Sequence, residues 1–272
     1  MNIVSYKSFY THCDRMCHKI ATSGIKIDAI CPVLRSGMIP GFKIAERLNL
    51  PVMINNKIYG GNRISFNNRK ITNILVIDDS VCSGGSILKE CEIYKGKYNV
   101  YTACIIYNPL SKFKPDFFSM QVMTPRIFEW NMMNCPNSIH ISFDMDGVLC
   151  RDPDVFDDDG TSYQECISTA EPLFIPSYKI DHIITNRIER WRSITETWLK
   201  NHNIMYNKLI MQDYKTAQER RSNSTPSGYK SQHYSKISSV LFIESCDKQA
   251  CEINRLSKKM TYCIETNKFY DI

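Results

Sequence analysis

The 272-residue sequence contains no apolar run that approaches the roughly 20 residues needed to span a bilayer. Its first residues also lack the charged start, apolar middle and small-residue cleavage site of a secretory signal. We therefore expect a soluble, cytoplasmic protein with no membrane partner. Hydrophobic residues make up 43% and charged residues 23% of the chain, a composition that predicts folded globular domains.

A long basic run is also absent, and the net charge of +6 is small for a chain of this length. Proteins that bind nucleic acid usually concentrate lysine and arginine on one face. The charge therefore favours anionic small molecules as ligands and argues against a nucleic-acid partner.

The sequence has 12 cysteines but no pattern of a disulfide framework. They are scattered through apolar stretches, and no secretory signal accompanies them, so we predict reduced thiols. The pairs His12-Cys13 and Cys17-His18 fall in an amphipathic helical pattern and match no common zinc spacing. We predict no zinc site there.

The length predicts two domains of roughly 130 residues each. Helical and strand patterns alternate in the first half, and the alternation restarts after the linker-like stretch 135–138. We therefore predict an α/β protein with two doubly wound, Rossmann-like domains, residues 1–137 and 138–272. The polar segment from Arg220 to Gly228 is predicted to be a loop.

The most informative segment runs from Asn73 to Ser86. An apolar strand pattern leads into two carboxylates, Asp78 and Asp79, and then into a turn of small residues. Gly84 and Gly85 allow the backbone to approach a phosphate closely, and a following helix would supply free N–H groups. This order predicts a site for a phosphorylated sugar, with the carboxylates facing its hydroxyls and a bound Mg²⁺.

A second loop suited to anions, from Leu34 to Gly41, follows a strand pattern and opens a helix. Together the two loops resemble those of the type I phosphoribosyltransferases, with the earlier loop similar to the xanthine/guanine type. The resemblance implies binding of phosphoribosyl pyrophosphate (PRPP), Mg²⁺ and a base-like acceptor, and such transferases are commonly homodimers. At the matching positions of the two loops, the resemblance implies that PRPP is bound by Arg35, Ser36, Gly37, Asp78, Asp79, Cys82, Ser83, Gly84, Gly85 and Ser86.

Three further features bear on this resemblance. The basic, glycine-containing segment 57–70 lies where these transferases carry a flexible lid. Trp130 lies where purine transferases stack the acceptor base, although Glu129 replaces the usual proline and a core tryptophan is the alternative. Cys82 stands where purine transferases usually have an aspartate. The acceptor is therefore open among a pyrimidine, a modified base and a nucleophile that is not a base.

The second half contains a different signature, Asp144-Met145-Asp146-Gly147-Val148-Leu149, after an apolar strand pattern. This resembles motif one of the haloacid dehalogenase (HAD) superfamily, and the acid at the second aspartate position favours a phosphatase. The resemblance implies Asp144 as the nucleophile and Asp146 as the general acid and base. Later segments match further motifs in order, with Thr185 contacting the phosphoryl group and Lys230 as the motif-three cation.

Lys236 and Lys215 are weaker candidates for that cation. Motif four implies that Glu244 and Asp247 hold Mg²⁺ together with the motif-one carboxylates. The metal set implied by the resemblance is Asp144, Asp146, Glu244 and Asp247. About thirty residues separate the first two motifs, too few for a large cap domain.

The sequence therefore predicts a bifunctional enzyme. One domain would transfer a phosphoribosyl group from PRPP to a base-like acceptor and release pyrophosphate. The other would hydrolyse a phosphorylated nucleoside or sugar, and the fusion suggests that it removes the 5′-phosphate of the transferase product. Two alternatives stay open: a phosphatase regulated by a non-catalytic PRPP-sensing domain, and a chain that retains hydrolysis alone.

Overall fold

The computed structural model describes residues 1–59, 70–154 and 159–271. By its internal contacts the chain divides into two compact units, Met1–Trp130 and Asn131–Ile272. Each unit is built on a six-stranded, mostly parallel sheet with helices between the strands. This confirms the predicted α/β class. None of the described helices combines the length and the apolarity needed to cross a membrane.

The elements of the first unit are β1 (Asn2–Val4), α1 (Tyr6–Ala21), β2 (Ala29–Pro32), α2 (Met38–Leu48), β3 (Val52–Ile54), β4 (Lys57–Tyr59), β5 (Asn73–Val81), α3 (Gly85–Tyr94), β6 (Asn99–Tyr107), β7 (Phe117–Gln121) and β8 (Arg126–Phe128). The sheet order is β4-β3-β2-β5-β6-β7, parallel except for the β3–β4 pair. Strands β3 and β4 are added on one side of β2, and strands β5, β6 and β7 are added on its other side. A crevice for ligands forms where the strand order reverses in this way.

Alternate residues of the central strands enter two apolar clusters, one on each face of the first sheet. Leu75 and Ile77 pack with residues of α1 and α2, whereas Ile74 and Val76 pack with residues of α3. Both faces are therefore covered by helices, as the near-continuous apolar pattern of β5 requires.

The carboxylate segment of the first unit differs from the predicted strand and turn. Strand β5 continues through Asp78 and Asp79 to Val81, so both carboxylates belong to the strand and both are buried. Farther along the chain, a cis Thr124-Pro125 peptide lies between β7 and β8. Strand β8 leaves the main sheet and pairs with β1.

The elements of the second unit are β9 (Ile141–Phe143), α4 (Thr161–Ser168), β10 (Ile180–Ile188), α5 (Arg192–Asn201), β11 (Tyr206–Gln212), α6 (Ala217–Asn223), α7 (Pro226–Tyr234), β12 (Leu241–Glu244), α8 (Asp247–Ser257), β13 (Thr261–Cys263) and β14 (Lys268–Tyr270). The sheet order is β11-β10-β9-β12-β13-β14, and only β14 is antiparallel. The order reverses between β9 and β12, which places a second crevice at their carboxyl ends.

Two expectations for the second unit need correction. The stretch 135–138, predicted as a linker, leads into the 3-10 helix Pro136–His140, and the Ser138 side chain is fully buried. The segment from Arg220 to Gly228, predicted as a loop, belongs mainly to helices α6 and α7. The 12 cysteines are all free thiols, as predicted.

Candidate functional site

The predicted phosphate turn of the first unit forms a cavity of about 110 Å³ between the end of β5 and the start of α3. Its lining residues are Asp78, Ser80, Val81, Cys82, Ser83, Gly84, Gly85, Ser86 and Ile87. All the predicted residues of this turn except Asp79 line the cavity. Ser80, Val81 and Ile87 also line it and were not predicted from the sequence.

The amino end of α3 opens into this turn. Gly84 precedes the helix with a φ of 88° and, as a glycine, supplies no side-chain cap. The Ser83 hydroxyl accepts a 3.4 Å hydrogen bond from the Gly85 N–H. An uncapped helix start presents its backbone N–H groups and the positive end of the helix dipole, which suits a phosphate group.

The two acids of β5 have different surroundings, because successive side chains of a strand point to opposite faces of the sheet. Asp78 lines the cavity and accepts the Asp79 N–H at 2.9 Å. Burial, with the charge of Asp79 adding to it, raises the pKa of Asp78 to about 8. Asp79 lies on the other face, where its Oδ2 accepts the indole N–H of Trp130 at 2.9 Å.

The Trp130 ring lies in an aromatic cluster rather than standing alone. Phe128 is stacked on it with centroids 4.7 Å apart and an interplanar angle of 7°, and Phe9 is 4.4 Å away. One face of the indole is therefore covered by the protein. The adjacent Glu129 accepts the Tyr6 backbone N–H at 2.6 Å, at the amino end of α1. The role of Trp130 as an acceptor platform stays a prediction.

The other predicted anion loop, Arg35, Ser36 and Gly37, connects β2 to α2. Strands β2 and β5 are parallel neighbours that are in register at Pro32 and Ile77. The loop therefore emerges at the same sheet edge as the phosphate turn. Helix α2, like α3, has no side-chain cap at its amino end.

Cys82 is exposed, and the Asn108 amide nitrogen lies 4.0 Å from its sulfur. Asn108 follows β6 directly and is buried. A thiol and a carboxamide thus lie beside the turn where the family pattern has a carboxylate. Residues 60–69 of the predicted lid lie outside the described residues, and 57–59 form strand β4.

A second cavity, of about 250 Å³, lies in the second unit, where its strand order reverses. Its lining residues are Asp144, Asp146, Asp152, Pro153, Tyr163, Thr185, Asn186, Lys230, Glu244, Ser245, Cys246 and Gln249. Five predicted residues from four separate segments, Asp144, Asp146, Thr185, Lys230 and Glu244, are brought together here.

Lys230 is the centre of the charged network. Its ammonium group donates to Asp144 Oδ2 at 2.6 Å, Glu244 Oε2 at 2.7 Å and Gln249 Oε1 at 3.1 Å. Burial opposes the charge on Lys230, but the two carboxylates outweigh it and raise the pKa of the ammonium group. Burial also raises the pKa of Asp144; Lys230 lowers that pKa and Glu244 raises it further.

Asp146 is held by Arg187, a residue that the sequence reasoning did not assign to the site. The guanidinium Nε donates to Asp146 Oδ2 at 3.0 Å and Nη2 to Oδ1 at 2.5 Å. Arg187 is fully buried, and its Nη1 donates to the Thr195 hydroxyl at 3.1 Å. Two parallel bonds from a planar group fix the orientation of a carboxylate. Asp146 therefore has a defined direction in the cavity.

Thr185 and Asp152 complete the polar lining. The Thr185 hydroxyl oxygen accepts the Arg187 N–H at 3.2 Å, which leaves its own hydrogen available to a ligand. Asp152 was not predicted as a site residue. Burial raises its pKa, and the charges of Asp146 and Glu244 raise it further.

Asp247, predicted as a metal ligand, does not line this cavity. Its Oδ1 accepts the Tyr270 hydroxyl at 2.7 Å and the Thr266 hydroxyl at 2.8 Å. The C-terminal hairpin β13–β14 therefore holds this carboxylate. Lys215 and Lys236, the weaker candidates for the cation, do not line the cavity either.

The donor set of the cavity suits Mg²⁺. Four carboxyl groups, Asp144, Asp146, Asp152 and Glu244, face the two cations Lys230 and Arg187, which gives a formal charge of −2. A cation would offset this charge for an incoming phosphate. Within the described ranges, no three acidic, histidine or cysteine side chains form a ready metal cage. Mg²⁺ commonly uses only one or two carboxylates together with water and substrate phosphate.

No protein-family model matches the sequence, and no curated protein matches it. Among solved structures, the chain is similar to a purine phosphoribosyltransferase from Pyrococcus horikoshii Ot3, with 20% identity, a TM-score of 0.37 and coverage of 47% of this chain and 92% of that one. It is also similar to the xanthine-guanine-hypoxanthine phosphoribosyltransferase of Helicobacter pylori, with 21% identity and a TM-score of 0.37. That similarity covers 47% of this chain and 90% of the other.

A hypothetical protein from Neisseria gonorrhoeae with bound ppGpp is similar at 17% identity and a TM-score of 0.38, over 48% of this chain and 89% of that one. Each likeness spans about half of this chain at a TM-score below 0.5. The functions proposed below therefore depend on the residues of the chain itself.

Proposed function

We propose that the chain is a bifunctional, Mg²⁺-dependent enzyme that transfers a phosphoribosyl group from PRPP and hydrolyses phosphate monoesters. One observation carries the hydrolase part of the proposal: the nucleophile, acid, hydroxyl and cation expected of a HAD phosphatase line one cavity where the strand order reverses. The uncapped start of α3 and its glycine turn support PRPP binding in the first unit.

Hydrolysis begins with attack of an Asp144 carboxylate oxygen on phosphorus. The bond from phosphorus to the ester oxygen breaks, an aspartyl-phosphate forms, and Asp146 gives its proton to the leaving oxygen. Lys230 balances charge on Asp144 and Glu244, and the Thr185 hydroxyl is placed to donate to a phosphoryl oxygen. In the second step Asp146 takes a proton from water as that water attacks phosphorus. The bond from phosphorus to the Asp144 oxygen breaks, which releases inorganic phosphate and returns Asp144 to its carboxylate form.

Asp144 and Glu244 are the residues that would hold Mg²⁺ in this cavity, and the ion would neutralise phosphoryl charge. Arg187 keeps the Asp146 carboxylate directed through both of its oxygens. This orientation is the main contribution of the buried arginine.

Transfer in the first unit needs the phosphate turn to hold the 5′-phosphate of PRPP through the N–H groups at the start of α3. Asp78, with Mg²⁺, would face the ribose hydroxyls. The loop Arg35, Ser36 and Gly37 emerges at the same edge and would hold the pyrophosphate. The acceptor bonds to the ribose carbon as the bond from that carbon to pyrophosphate breaks. A phosphatase acting on the product would then remove its 5′-phosphate.

The proposal is tested with purified protein, PRPP, Mg²⁺ and a panel of purine and pyrimidine bases, with products followed by mass spectrometry. Pyrophosphate release that depends on a base supports transfer and names the acceptor class. A nucleoside without phosphate supports coupling of the two reactions. Release of phosphate alone leaves a phosphatase with a sensing partner, and release of neither contradicts both activities.

The alternative function is a PRPP-sensing first unit that regulates the phosphatase. It is favoured by Cys82, which places a thiol where the family pattern has a carboxylate, and by Phe128, which covers one face of Trp130. A sensor binds PRPP without releasing pyrophosphate. Titration of PRPP against phosphatase activity, with pyrophosphate measured in the same samples, separates the two functions.

Trp130→Phe is expected to lower the free energy of unfolding by about 1.5–3 kcal/mol. The substitution keeps an aromatic ring but removes the N–H that Asp79 accepts, and a hydrogen bond to a charged group contributes about that much to stability. Urea denaturation measures the change. An unfolding free energy equal to that of wild type would contradict the contribution of this bond.

PRPP binding in the presence of Mg²⁺ is expected to tighten about tenfold from pH 7 to pH 9. The pKa of Asp78 is raised to about 8, so the carboxyl carries a proton through most of the neutral range. Binding a cation requires the ionised form, and the protonated fraction falls as pH rises through that value. Calorimetry over this pH range checks the slope. The profile should flatten in Asp78→Asn, and an equally steep profile in that variant would contradict the assignment.

A further inference from the structure

Two carboxamide side chains in the phosphatase cavity have their oxygens already engaged by the protein. We propose that the amide nitrogens of Asn186 and Gln249 bind hydroxyl groups of the leaving group, so that the preferred substrates are sugar phosphates. This inference depends on the proposed hydrolase function and names its substrate class.

Asn186 is fixed at two points. Its side-chain Oδ1 accepts the Gln212 amide N–H at 2.7 Å, and its backbone oxygen accepts Arg220 Nη1 at 2.8 Å. Gln212 is almost completely buried at the end of β11. Because the Asn186 Oδ1 atom faces Gln212, the two N–H donors of the Asn186 carboxamide point away from Gln212. Asn186 directly follows Thr185, the residue expected to contact the phosphoryl group, and it lines the same cavity.

Gln249 has the same arrangement on helix α8. Its Oε1 accepts the Lys230 ammonium at 3.1 Å, and because an ammonium group can only donate, the acceptor must be the amide oxygen. The NH₂ group of Gln249 is therefore directed away from Lys230. Each carboxamide thus presents donors without an acceptor among the described side chains. A hydroxyl oxygen is a suitable partner for such donors.

The size and composition of the cavity agree with a small, polar leaving group. Its volume of about 250 Å³ lies below the roughly 300–1,000 Å³ typical of small-molecule sites. Nine of its twelve lining residues carry polar or charged side chains, and the remaining three are Pro153, Tyr163 and Cys246. A sugar would find two donors from the amides and an acceptor in Asp152.

The test compares kcat/KM for ribose 5-phosphate and for n-butyl phosphate, whose leaving group is also a primary alcohol but has no additional hydroxyl. Both esters transfer phosphate to Asp144 from leaving groups of similar basicity, so their ratio isolates recognition of the leaving group. We expect wild type to prefer ribose 5-phosphate at least tenfold, and Asn186→Ala to reduce that preference about tenfold. Gln249→Glu, tested independently, should act in the same direction, because it keeps the oxygen that accepts from Lys230 and removes the two N–H donors.

Loss of activity toward both esters by the same factor would place the two amides on the phosphoryl group and overturn the inference. A wild-type enzyme with equal kcat/KM for both esters would overturn it as well. Hydrolysis of neither ester by wild type, at the level of Asp144→Asn, would overturn the hydrolase function itself. Circular dichroism of each variant verifies that the ratio is measured on folded protein.

Discussion

Replacing Asp144 by asparagine is expected to reduce phosphomonoester hydrolysis at least roughly ten-thousandfold, as removal of a catalytic nucleophile does in other enzymes. The Asp144 carboxylate lies at the end of β9, is almost completely buried and accepts the Lys230 ammonium at 2.6 Å. An amide of the same shape cannot form the aspartyl-phosphate. The measurement is the steady-state rate with ribose 5-phosphate and Mg²⁺.

The fold should survive this change. Asparagine has the same shape as aspartate, and its amide oxygen can still accept the Lys230 ammonium. Lys230 keeps its 2.7 Å bond to Glu244. Melting temperature and circular dichroism verify this point before rates are compared.

Asp247→Asn is the matched control, because it makes the same chemical change outside the cavity. Its carboxylate is bonded to Tyr270 and Thr266, so the variant should hydrolyse the ester at close to the wild-type rate. A large loss of activity in Asp247→Asn would return that residue to the metal set implied by the motif. Unchanged activity in Asp144→Asn would refute the nucleophile assignment.

The same variant also separates the two proposed activities. With PRPP and an acceptor base, Asp144→Asn should accumulate a phosphorylated product, whereas wild type should accumulate the product without phosphate. Pyrophosphate release should be unchanged, because the phosphate turn belongs to the other unit. If the variant stops pyrophosphate release as well, the two reactions are not independent chemical steps.

Where the predicted residues follow strands, the structure brings them into one cavity. Asp144 and Glu244 come from the adjacent strands β9 and β12, and their carboxyl ends meet at one edge of the sheet. Parallel packing therefore brings together acids that are separated in the sequence. Asp247 does not follow a strand but begins helix α8, and a side chain at that position can point either into the cavity or to a neighbouring element. The hairpin β13–β14, which the sequence reasoning did not include, decides its partner.

The position of Arg187 in the sequence also indicates a residue of this site. Arg187 lies two residues after Thr185, and the alternation of a regular strand predicts both side chains on one face, although β10 has a register shift between Ile184 and Ile188. An arginine at the end of an apolar strand, on the same face as a predicted phosphate contact, needs a buried anion as its partner. Asp146 provides it.

The polar composition of helices α6 and α7 led to the prediction of a loop, yet each helix begins at a recognisable N-cap residue. The Thr216 hydroxyl accepts the Glu219 N–H, and the Thr225 hydroxyl accepts the Gly228 N–H. A threonine that accepts the N–H three residues later is a typical N-cap. Capping, more than apolar periodicity, therefore defines these two helices, and α7 brings Lys230 into the cavity.

Gly84→Ala is expected to weaken PRPP binding roughly a hundredfold. The backbone at this position has a φ of 88°, which costs a residue with a side chain about 1–3 kcal/mol. An added Cβ would also lie 2.5 Å from the Phe113 Cβ, so the turn must move away from Phe113. Because the N–H groups at the start of α3 follow this turn, their positions at the phosphate change with it. Calorimetric titration with PRPP and Mg²⁺ measures the loss.

Gly85→Ala provides the control at the next residue. An added Cβ there meets only the Ser83 hydroxyl oxygen, at an ordinary contact distance of 3.7 Å, so PRPP affinity should stay within about threefold of wild type. Adding Phe113→Ala to Gly84→Ala removes the steric clash but leaves the strained φ, and it should restore only part of the affinity. Equal losses in Gly84→Ala and Gly85→Ala would show that the turn does not bind phosphate through the geometry described for Gly84.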